Sequence, residues 1–582
     1  MTSAVFTISY RKLFLIWSLT IFQYMLVQSQ SLVVPDGTFR SPVDYTFRLS
    51  GGFNELRETH FHSGIDIKPS SGAKKDKIYC IGAGFVSRIK VAAGGYGYAL
   101  YIDHPECGFT SVYAHLESYS SRIDKIVKSY QLKQESFEVD IYLTNDILPV
   151  TTGEVIGIMG TSGFSFGEHL HFEIRDTKTE KPINPYLFGF IVPDKITPTV
   201  QNLSIHGLDK NFHKIYDIKV PLGEAENGQI SVIETIEVPS SNIGFALQMY
   251  DRADGSSNKL GIYGLHVYAD EALIYSYHMD KISFSQTRQI IGFFDYQEKK
   301  SSGKTYTLCY KYPGNDLDFL AKNGSGLIYL DSLARTKIRI EVEDFFRNRK
   351  TIHFEVKGLG QQNDSVPDKK DFKQWVYEGQ KTEITESGIQ VTFGKNSLFR
   401  NIAFRMKTKN ESGRNTSYKI HESNEPVKSD IDLRIRPDMS DTKWKDKTIM
   451  TYISSSGKMY NCGGSWQDGY IKCRINEFGT YRIDYDTVAP TIKNINFKTK
   501  AGKISRYKFE IKDNLPVKGK DVNEISHKVW INGAFVIAPF SLKSSILEIP
   551  IADLPAGTHE LRIEVRDHSR NTAYYKATFI KI

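Results

Sequence analysis

The chain has 582 residues, of which 75 are lysine or arginine and 67 are aspartate or glutamate, so its formal net charge at pH 7 is +8. This length exceeds what one hydrophobic core usually supports, and several domains are therefore expected. The charge suits adhesion to an anionic surface but is ordinary for this length, and because no run of basic residues and no basic-aromatic stripe occurs, nucleic acid is not an expected partner.

The N-terminus is typical of a secretory signal peptide. Arg11 and Lys12 precede an apolar run that ends at Val27, and polar residues follow. We expect a signal peptide over residues 1–29 that is cleaved at its end, and an uncleaved anchor is the alternative interpretation. No long apolar stretch recurs after this segment. The sequence thus predicts an exported protein of the periplasm, cell envelope or extracellular space, with no stable membrane span after cleavage.

Residues 32–194 are dense in glycine turns and short β-like runs, which predicts one β-rich domain. Within it, apolar residues recur at helical spacing at Ile123, Ile126, Val127 and Tyr130. Asp124 lies four residues before Lys128, a spacing that favours an ion pair on a helix. One short helix is therefore expected to lie over the sheet.

An internal repeat follows this domain, and from residue 195 onward the pattern predicts strands and turns only. The strand that starts after Pro198 is echoed by the strand that starts after Pro490. The ends of the two copies match as well, because a strand running into an Asp-x-x-x-Asn turn occurs at 344–348 and again at 567–571. We therefore expect two copies of one β-sandwich module.

The module boundaries follow from this repeat. The expected copies cover residues 195–358 and 488–582, and their pattern resembles immunoglobulin-like modules. A polar stretch, residues 361–370, is expected to be a linker. Residues 371–487 are expected to form a further β-rich module of unknown type.

Five cysteines in an exported chain allow at most two disulfides. Cys462 and Cys473 flank a glycine-rich turn region, and we expect them to be bridged across a hairpin. Cys80, Cys107 and Cys309 show no pairing pattern.

The histidines point to the chemistry, since six of the 15 lie between residues 60 and 171. A flat strand would hold His62 and Asp66 of the motif His-Ser-Gly-Ile-Asp about 13 Å apart, too far to share one metal ion. The chain must bend between them. We expect Gly64 to allow the bend, because glycine accepts backbone angles that are closed to other residues.

A second motif, residues 167–175, alternates strictly between apolar and polar side chains. Its polar face carries His169 and His171 about 7 Å apart, so one could bind a metal while the other reaches a water molecule on it. A third motif places His115 on an expected strand, from which it could approach the same water. Glu173 either orients a ligand histidine or is a solvated strand residue, and the second interpretation is favoured.

Two further features near these motifs carry simpler interpretations. Residues 94–98 could cradle a substrate backbone, but a plain hairpin turn is favoured. His60 has no assigned role.

Together the three motifs resemble the lysostaphin/LytM-type family of peptidoglycan metalloendopeptidases, whose pattern is H-x-x-x-D, a Tyr-Gly-His-Leu-like strand and H-x-H. The resemblance covers about residues 45–190. Ala114 replaces the usual glycine and Glu168 the usual proline, which affects rate or substrate preference rather than the metal. The resemblance implies one zinc ion per chain on His62, Asp66 and His171, with His115 and His169 as catalytic histidines.

The expected fold is mainly β, a LytM-like domain of antiparallel sheets with one short helix, followed by β-sandwich modules. Three ligands leave a fourth zinc position for water, and His115 and His169 would orient or deprotonate that water. The expected substrate is a peptide cross-link of peptidoglycan. The alternatives are a catalytically inactive LytM-like regulator of another hydrolase and a secreted protease that acts on extracellular proteins.

Overall fold

The structure is a computed structural model that describes residues 38–46, 48–70, 75–190, 192–223, 228–239, 242–321, 324–360, 372–410, 412–438, 442–519 and 525–582. The expected signal peptide, residues 1–29, and the expected linker, residues 361–370, lie outside the described residues. Within the described residues, no helix has both the length and the apolar character needed to cross a membrane.

The expected mainly β fold is confirmed, and the first segment forms two antiparallel sheets. Its strands are β1 (Leu49–Gly51), β2 (Ile65–Ile67), β3 (Lys77–Tyr79), β4 (Gly84–Val91), β5 (Tyr98–His104), β6 (Phe109–Ala114), β7 (Leu116–Tyr119), β8 (Val139–Tyr142), β9 (Pro149–Val150), β10 (Val155–Met159), β11 (Leu170–Asp176) and β12 (Pro182–Ile183). The large sheet has the order β1-β2-β11-β6-β5-β4-β8, and the small sheet has the order β3-β10-β7. Strand β11 therefore lies between β2 and β6.

A helix packs against these sheets, as the apolar spacing predicts. Helix α1 spans Ser121–Gln134, and a short 3-10 helix spans Pro185–Phe188. Ile123 and Val127 are buried on the inner face of helix α1. Lys128 pairs with Asp124 at 2.7 Å on the outer face. The helix is amphipathic, so its burial rather than its intrinsic propensity holds it in place.

The second segment forms two sheets. Its strands are β13 (Thr199–Leu208), β14 (Lys214–Pro221), β15 (Gln229–Ser231), β16 (Ile236–Val238), β17 (Asn242–Tyr250), β18 (Gly264–Ala269), β19 (Ala272–His278), β20 (Thr307–Leu308), β21 (Ile328–Tyr329), β22 (Arg335–Glu343) and β23 (Arg349–Gly358). It also contains a 3-10 helix, Phe284–Gly292, and helix α2, Tyr296–Ser302. The prediction of strands and turns only was therefore wrong here. Asp295 caps helix α2 by accepting a hydrogen bond from the Glu298 amide. The helix has no buried residues, so the search for apolar periodicity did not detect it.

The third segment forms three sheets. Its strands are β24 (Gln374–Val376), β25 (Thr382–Glu386), β26 (Ile389–Phe393), β27 (Ile402–Phe404), β28 (Met406–Lys409), β29 (Ser417–Ile420), β30 (Ile431–Ile435), β31 (Thr448–Ile453), β32 (Met459–Asn461), β33 (Ser465–Gln467), β34 (Tyr470–Ile475) and β35 (Gly479–Tyr485). A 3-10 helix spans Thr442–Lys447. Its two larger sheets have the orders β25-β26-β30-β34-β33 and β28-β29-β35-β31-β32.

The predicted bridge between Cys462 and Cys473 is not present, because all five cysteines are free thiols. Cys473 lies on β34, which forms a hairpin with β33, whereas Cys462 follows β32 in the other large sheet. The Cys473 thiol donates to the Cys462 carbonyl at 3.0 Å rather than facing its sulfur. The glycine-rich region thus leads from one sheet to another instead of closing a single hairpin.

The last segment repeats the strand order of the second. Its strands are β36 (Thr491–Asn494), β37 (Arg506–Lys512), β38 (Ile525–Ile531), β39 (Ala534–Phe535), β40 (Phe540–Ser541), β41 (Ile546–Pro550), β42 (Gly557–Asp567) and β43 (Thr572–Lys581). The sheet order β39-β38-β42-β43 matches the order β19-β18-β22-β23, and β36-β37-β41 matches β13-β17-β20. The sequence repeat therefore has a counterpart in strand connectivity.

The last segment also packs against the first. One continuous apolar core contains buried residues of the first, second and last segments, while the third segment has a separate core and adds only Phe399 to the shared one. The Leu542 amide donates to the Ala93 carbonyl at 3.1 Å. Lys528 pairs with Glu135 at 2.9 Å. The end of the chain is thereby brought back to the N-terminal sheets.

Candidate metal centre and active site

Three of the predicted site residues converge where β2 and β11 pair. Asp66 lies directly opposite His171 in the antiparallel register. Asp66 Oδ1 is 3.1 Å from His62 Nε2 and 3.0 Å from His171 Nδ1, and the two ring nitrogens are 3.0 Å apart. All three residues are buried. Ligands on bonds of about 2 Å in a tetrahedron lie about 3.3 Å apart, so this spacing is close to that of a zinc site.

Gly64 brings His62 and Asp66 together by a different route from the one predicted. Its φ angle is not in the left-handed region, so the backbone freedom of glycine is not what the bend uses. A Cβ atom at Gly64 would instead lie 2.3 Å from the Phe172 carbonyl oxygen. The glycine is needed because the chain passes directly against β11.

The outer nitrogens of both histidines are held by oxygen acceptors. His62 Nδ1 lies 2.6 Å from the Gly52 carbonyl oxygen, and His171 Nε2 lies 2.7 Å from Glu173 Oε1. With a metal bound, donation to these oxygens would leave the lone pairs of His62 Nε2 and His171 Nδ1 free to ligate it. Two imidazoles and a carboxylate form a donor set that suits zinc once the metal has displaced the proton between them, so the residues present fit the implied metal.

The charged groups of this cluster shift one another's pKa values. Burial alone would raise the pKa of Asp66, but the charge of His62 and the hydrogen bonds from both histidines hold it well below its usual range. Burial alone would lower the pKa of His171, but Asp66 and Glu173 raise it to about 9. The cluster thus favours a positive charge at its centre.

Glu173 is an orienting residue rather than a solvated one, which corrects the favoured interpretation. Its side chain is fully buried. Oε1 accepts from Ser63 Oγ at 2.6 Å and from the Tyr96 hydroxyl, while Oε2 accepts from Arg175 Nε at 2.6 Å. Burial would raise the pKa of Glu173, but Arg175 and His171 lower it far below its usual range. A charged carboxylate therefore fixes the ring of His171.

Sequence reasoning missed two residues that contact this cluster. Residues 94–98 do form the favoured hairpin turn between β4 and β5, but Tyr96 at its tip also reaches Glu173 and Ser63. Arg57 Nη2 lies 3.1 Å from Asp66 Oδ2. The glycines around Tyr96 were a detectable signal for a tight turn that projects one side chain, whereas the sequence around Arg57 carries no comparable signal.

The two predicted catalytic histidines flank the cluster. His115 is the single residue between β6 and β7, and its φ of 62° carries the chain from the large sheet into the small one. It therefore occupies a kink rather than the expected strand. The rings of His115 and His169 lie 4.8 Å apart, and that of His115 lies 5.8 Å from the ring of His171. His169 Nε2 is 3.6 Å from Asp66 Oδ1.

Each flanking histidine uses one nitrogen for a backbone contact. His115 Nδ1 lies 2.8 Å from the Ser162 carbonyl oxygen, and His169 Nδ1 lies 2.9 Å from the Gly167 carbonyl oxygen. Donation at these positions leaves Nε2 of both rings as a proton acceptor. Burial lowers the pKa of His115 to about 3, and burial also lowers the pKa of His169. Both rings are therefore neutral near pH 7.

We expect the substitution Glu173→Gln to weaken zinc binding by about 10- to 100-fold, because it removes the charge that orients His171. The affinity is measured by competition with a chromophoric chelator. Asp176→Asn is the matched control, since Asp176 ends the same strand and hydrogen bonds to Thr179 rather than to His171. An unchanged zinc affinity in the Glu173 variant would contradict the orienting role.

Comparisons with known proteins find two domain families and several peptidases to which the chain is similar. Residues 60–132 match Peptidase family M23, and residues 373–486 match the Zu5-like domain, a type that the sequence pattern alone did not name. The chain is 30% identical over 158 residues to the DD-carboxypeptidase/endopeptidase Mpg of Neisseria meningitidis serogroup B and of Neisseria gonorrhoeae. That match covers 26% of this chain and spans 29% of the length of these curated relatives.

Solved structures of similar peptidases also match. A zinc-containing peptidase from Vibrio cholerae is 23% identical over 26% of this chain and 39% of its own, with a TM-score of 0.19. The catalytic domain of lysostaphin from Staphylococcus simulans is 19% identical over 24% of this chain and 87% of its own, with a TM-score of 0.17. The resemblance of the N-terminal part of the chain to the lysostaphin/LytM-type family is confirmed by its match to Peptidase family M23 over residues 60–132.

Proposed function

We propose that this chain is an exported zinc metalloendopeptidase that hydrolyses peptide cross-links of bacterial peptidoglycan. The observation that carries the proposal is the convergence of His62, Asp66 and His171, of which the first two lie within the residues that match a peptidase family. The relatives named as a carboxypeptidase and endopeptidase support the reaction class. We assign the three converging residues as the ligands of one zinc ion per chain.

The chemistry at this site divides between the metal and the chain. A bound zinc ion would supply Lewis-acid chemistry, polarising the scissile carbonyl and making an attacking water more acidic. The rings of His115 and His169 are neutral near pH 7 and flank the cluster, with His169 Nε2 3.6 Å from Asp66 Oδ1, so either can accept the proton of that water. The protonated ring can then donate to the developing oxyanion or to the leaving amine. Glu173 holds His171 in place throughout.

The remaining segments would position the peptidase. We propose residues 32–194 as the catalytic domain, with residues 195–358, 371–487 and 488–582 as three β-rich modules. The last module lies close to the site, because Lys543 Nζ donates to the Ser165 carbonyl oxygen at 2.7 Å. Ser165 Oγ in turn lies 3.2 Å from His169 Nδ1. This contact would let the last module fix the position of the loop beside His169.

Digestion of purified peptidoglycan tests the proposal. We expect the zinc-loaded chain to release cross-link fragments with new amino termini, which mass spectrometry identifies, and we expect protein treated with a chelator to release none. Casein and a cell-surface protein serve as parallel substrates. Cleavage of those proteins without cleavage of peptidoglycan would instead identify a secreted protease. A zinc-loaded chain that cleaves neither would identify an inactive regulator.

A further inference from the structure

Two clusters of three aspartates lie outside the candidate metal centre, one in each copy of the internal repeat. The first cluster consists of Asp194, Asp251 and Asp344, and the second consists of Asp486, Asp513 and Asp567. Within each cluster, one carboxylate oxygen from each residue lies within 4.8 Å of the other two. Like charges at this separation repel one another, so such an arrangement is unfavourable without a counter-charge.

The two clusters occupy the same positions in the repeated strand order. The first member lies five residues before β13 or β36, the second directly follows β17 or β37, and the third follows or ends β22 or β42. The supporting contacts match too. Asn348 Nδ2 donates to the Asp194 carbonyl at 3.2 Å, and Asn571 Nδ2 donates to the Asp486 carbonyl at 3.0 Å. The chain therefore builds the same carboxylate cluster twice.

Both clusters contain a buried oxygen that needs a ligand. Asp251 is 4% exposed and its Oδ1 has no hydrogen-bond partner among the described residues. Asp486 is 3% exposed, and its Oδ2 is likewise unpartnered within the described part of the chain. Across that same part, no lysine, arginine or histidine forms an ion pair with any of the six aspartates. Burial and the charges of Asp194 and Asp344 raise the pKa of Asp251 to about 8.

The first cluster lines a small cavity. The cavity has a volume of about 30 Å³, and its walls include Asp194, Asp251, Asp344 and the loop residues Gly52 and Asn54. This volume is large enough for a single water molecule or ion and too small for an organic ligand. A bare cation is therefore the ligand class that fits both its size and its charge.

We infer that each aspartate cluster binds one calcium ion. Three carboxylates offer hard oxygen donors, and backbone carbonyls beside them can complete the six to eight oxygens that calcium takes in flexible geometry. Zinc favours nitrogen and sulfur ligands, which the clusters lack. A divalent cation also neutralises the repulsion that the buried carboxylates would otherwise suffer.

Calcium at these positions would join each copy of the repeat to the segment before it. Around the first cluster, Asn54 Nδ2 donates to the Ile262 carbonyl at 3.2 Å, and Gly52 accepts from His62 at 2.6 Å. Around the second cluster, Lys447 Nζ donates to the Ser569 carbonyl at 2.8 Å. The first calcium ion would thus stabilise the same loop that holds a ligand of the candidate zinc centre.

Calcium titration of the zinc-loaded full chain by isothermal calorimetry tests this inference. We expect two calcium ions per chain and a rise in the melting temperature of about 5 °C at saturating calcium. Asp251→Asn and Asp513→Asn should each bind one ion, and the double variant should bind none. Asp553→Asn is the matched control, because Asp553 is exposed in the last segment, and it should still bind two.

The variants should fold, since asparagine keeps the shape of aspartate and removes a repelling charge. Each should melt at or above the temperature of the calcium-free wild type in calcium-free buffer. The inference is overturned if the wild type takes up no calcium at millimolar concentration, or if the double variant binds as many ions as the wild type. Stabilisation by magnesium but not by calcium would also overturn it.

Discussion

Alanine at His62, Asp66 or His171 is expected to abolish zinc binding and peptidase activity together. Each substitution leaves two of three proposed ligands, and two ligands hold zinc far more weakly than three. The melting temperature of the N-terminal sheets should fall by roughly 10 °C in zinc-containing buffer, because a metal that binds only the folded state stabilises that state. Elemental analysis of the purified variants measures the zinc content, and calorimetry measures the melting temperature.

His60→Ala is the matched control for this set. His60 lies two residues before His62, but its side chain is exposed and contacts Thr59 rather than the cluster. Its zinc content and activity should equal those of the wild type. If the three ligand variants instead retain one zinc ion per chain, the metal is bound elsewhere and the assignment of this centre is wrong. The chelator-treated wild type should share the melting temperature of the variants, because all of them then lack the metal.

The main features of the site were predictable because each depends on local pattern. The alternation of residues 167–175 predicted a strand that carries His169 and His171, and β11 contains His171, while His169 comes directly before its first residue. The spacing of Ile123 and Val127 identified the helix over the sheet. The separation of His62 from Asp66 showed that the chain had to bend. These inferences need only the periods of regular structure.

The rest depended on contacts between distant segments, which one sequence does not reveal. Glu173 looked like a solvated strand residue because its polar neighbours, Ser63 and Tyr96, come from elsewhere in the chain. The Cys462–Cys473 bridge failed for a similar reason, since a hairpin was assumed where the chain changes sheets. Local pattern identifies which residues carry the chemistry, but the long-range packing decides what supports them.

The last segment of the chain packs against the loop that supports the proposed catalytic histidines. The loop that follows Gly160 supplies the carbonyl oxygens that hold His115 and His169, and Lys543 of the last segment contacts this same loop. The Leu542 amide extends the contact to Ala93. The proposed catalytic histidines are therefore supported from both ends of the chain.

His115→Ala and His169→Ala are expected to behave unlike the ligand variants. Neither ring belongs to the convergent trio, and Nδ1 of each contacts a backbone carbonyl oxygen rather than a residue of that trio. Zinc content should remain at one ion per chain, and the melting temperature should change little. The turnover number should fall by about 10²- to 10⁴-fold, the usual contribution of a positioned acid or base. A rate assay beside elemental analysis measures both effects on the same preparation.

The comparison of His169 with His171 tests the two roles directly, because His171 lies on β11 and His169 lies only two residues earlier, directly before the strand. His171 Nδ1 lies 3.0 Å from Asp66 Oδ1, whereas His169 Nε2 lies 3.6 Å from it. The other ring nitrogen of His171 contacts the charged carboxylate of Glu173, whereas that of His169 contacts the neutral carbonyl of Gly167. The geometry thus favours His171 over His169 as the proposed metal ligand. Loss of zinc from His169→Ala with retention by His171→Ala would reverse the two roles, and wild-type turnover in both His115→Ala and His169→Ala would remove these histidines from the reaction.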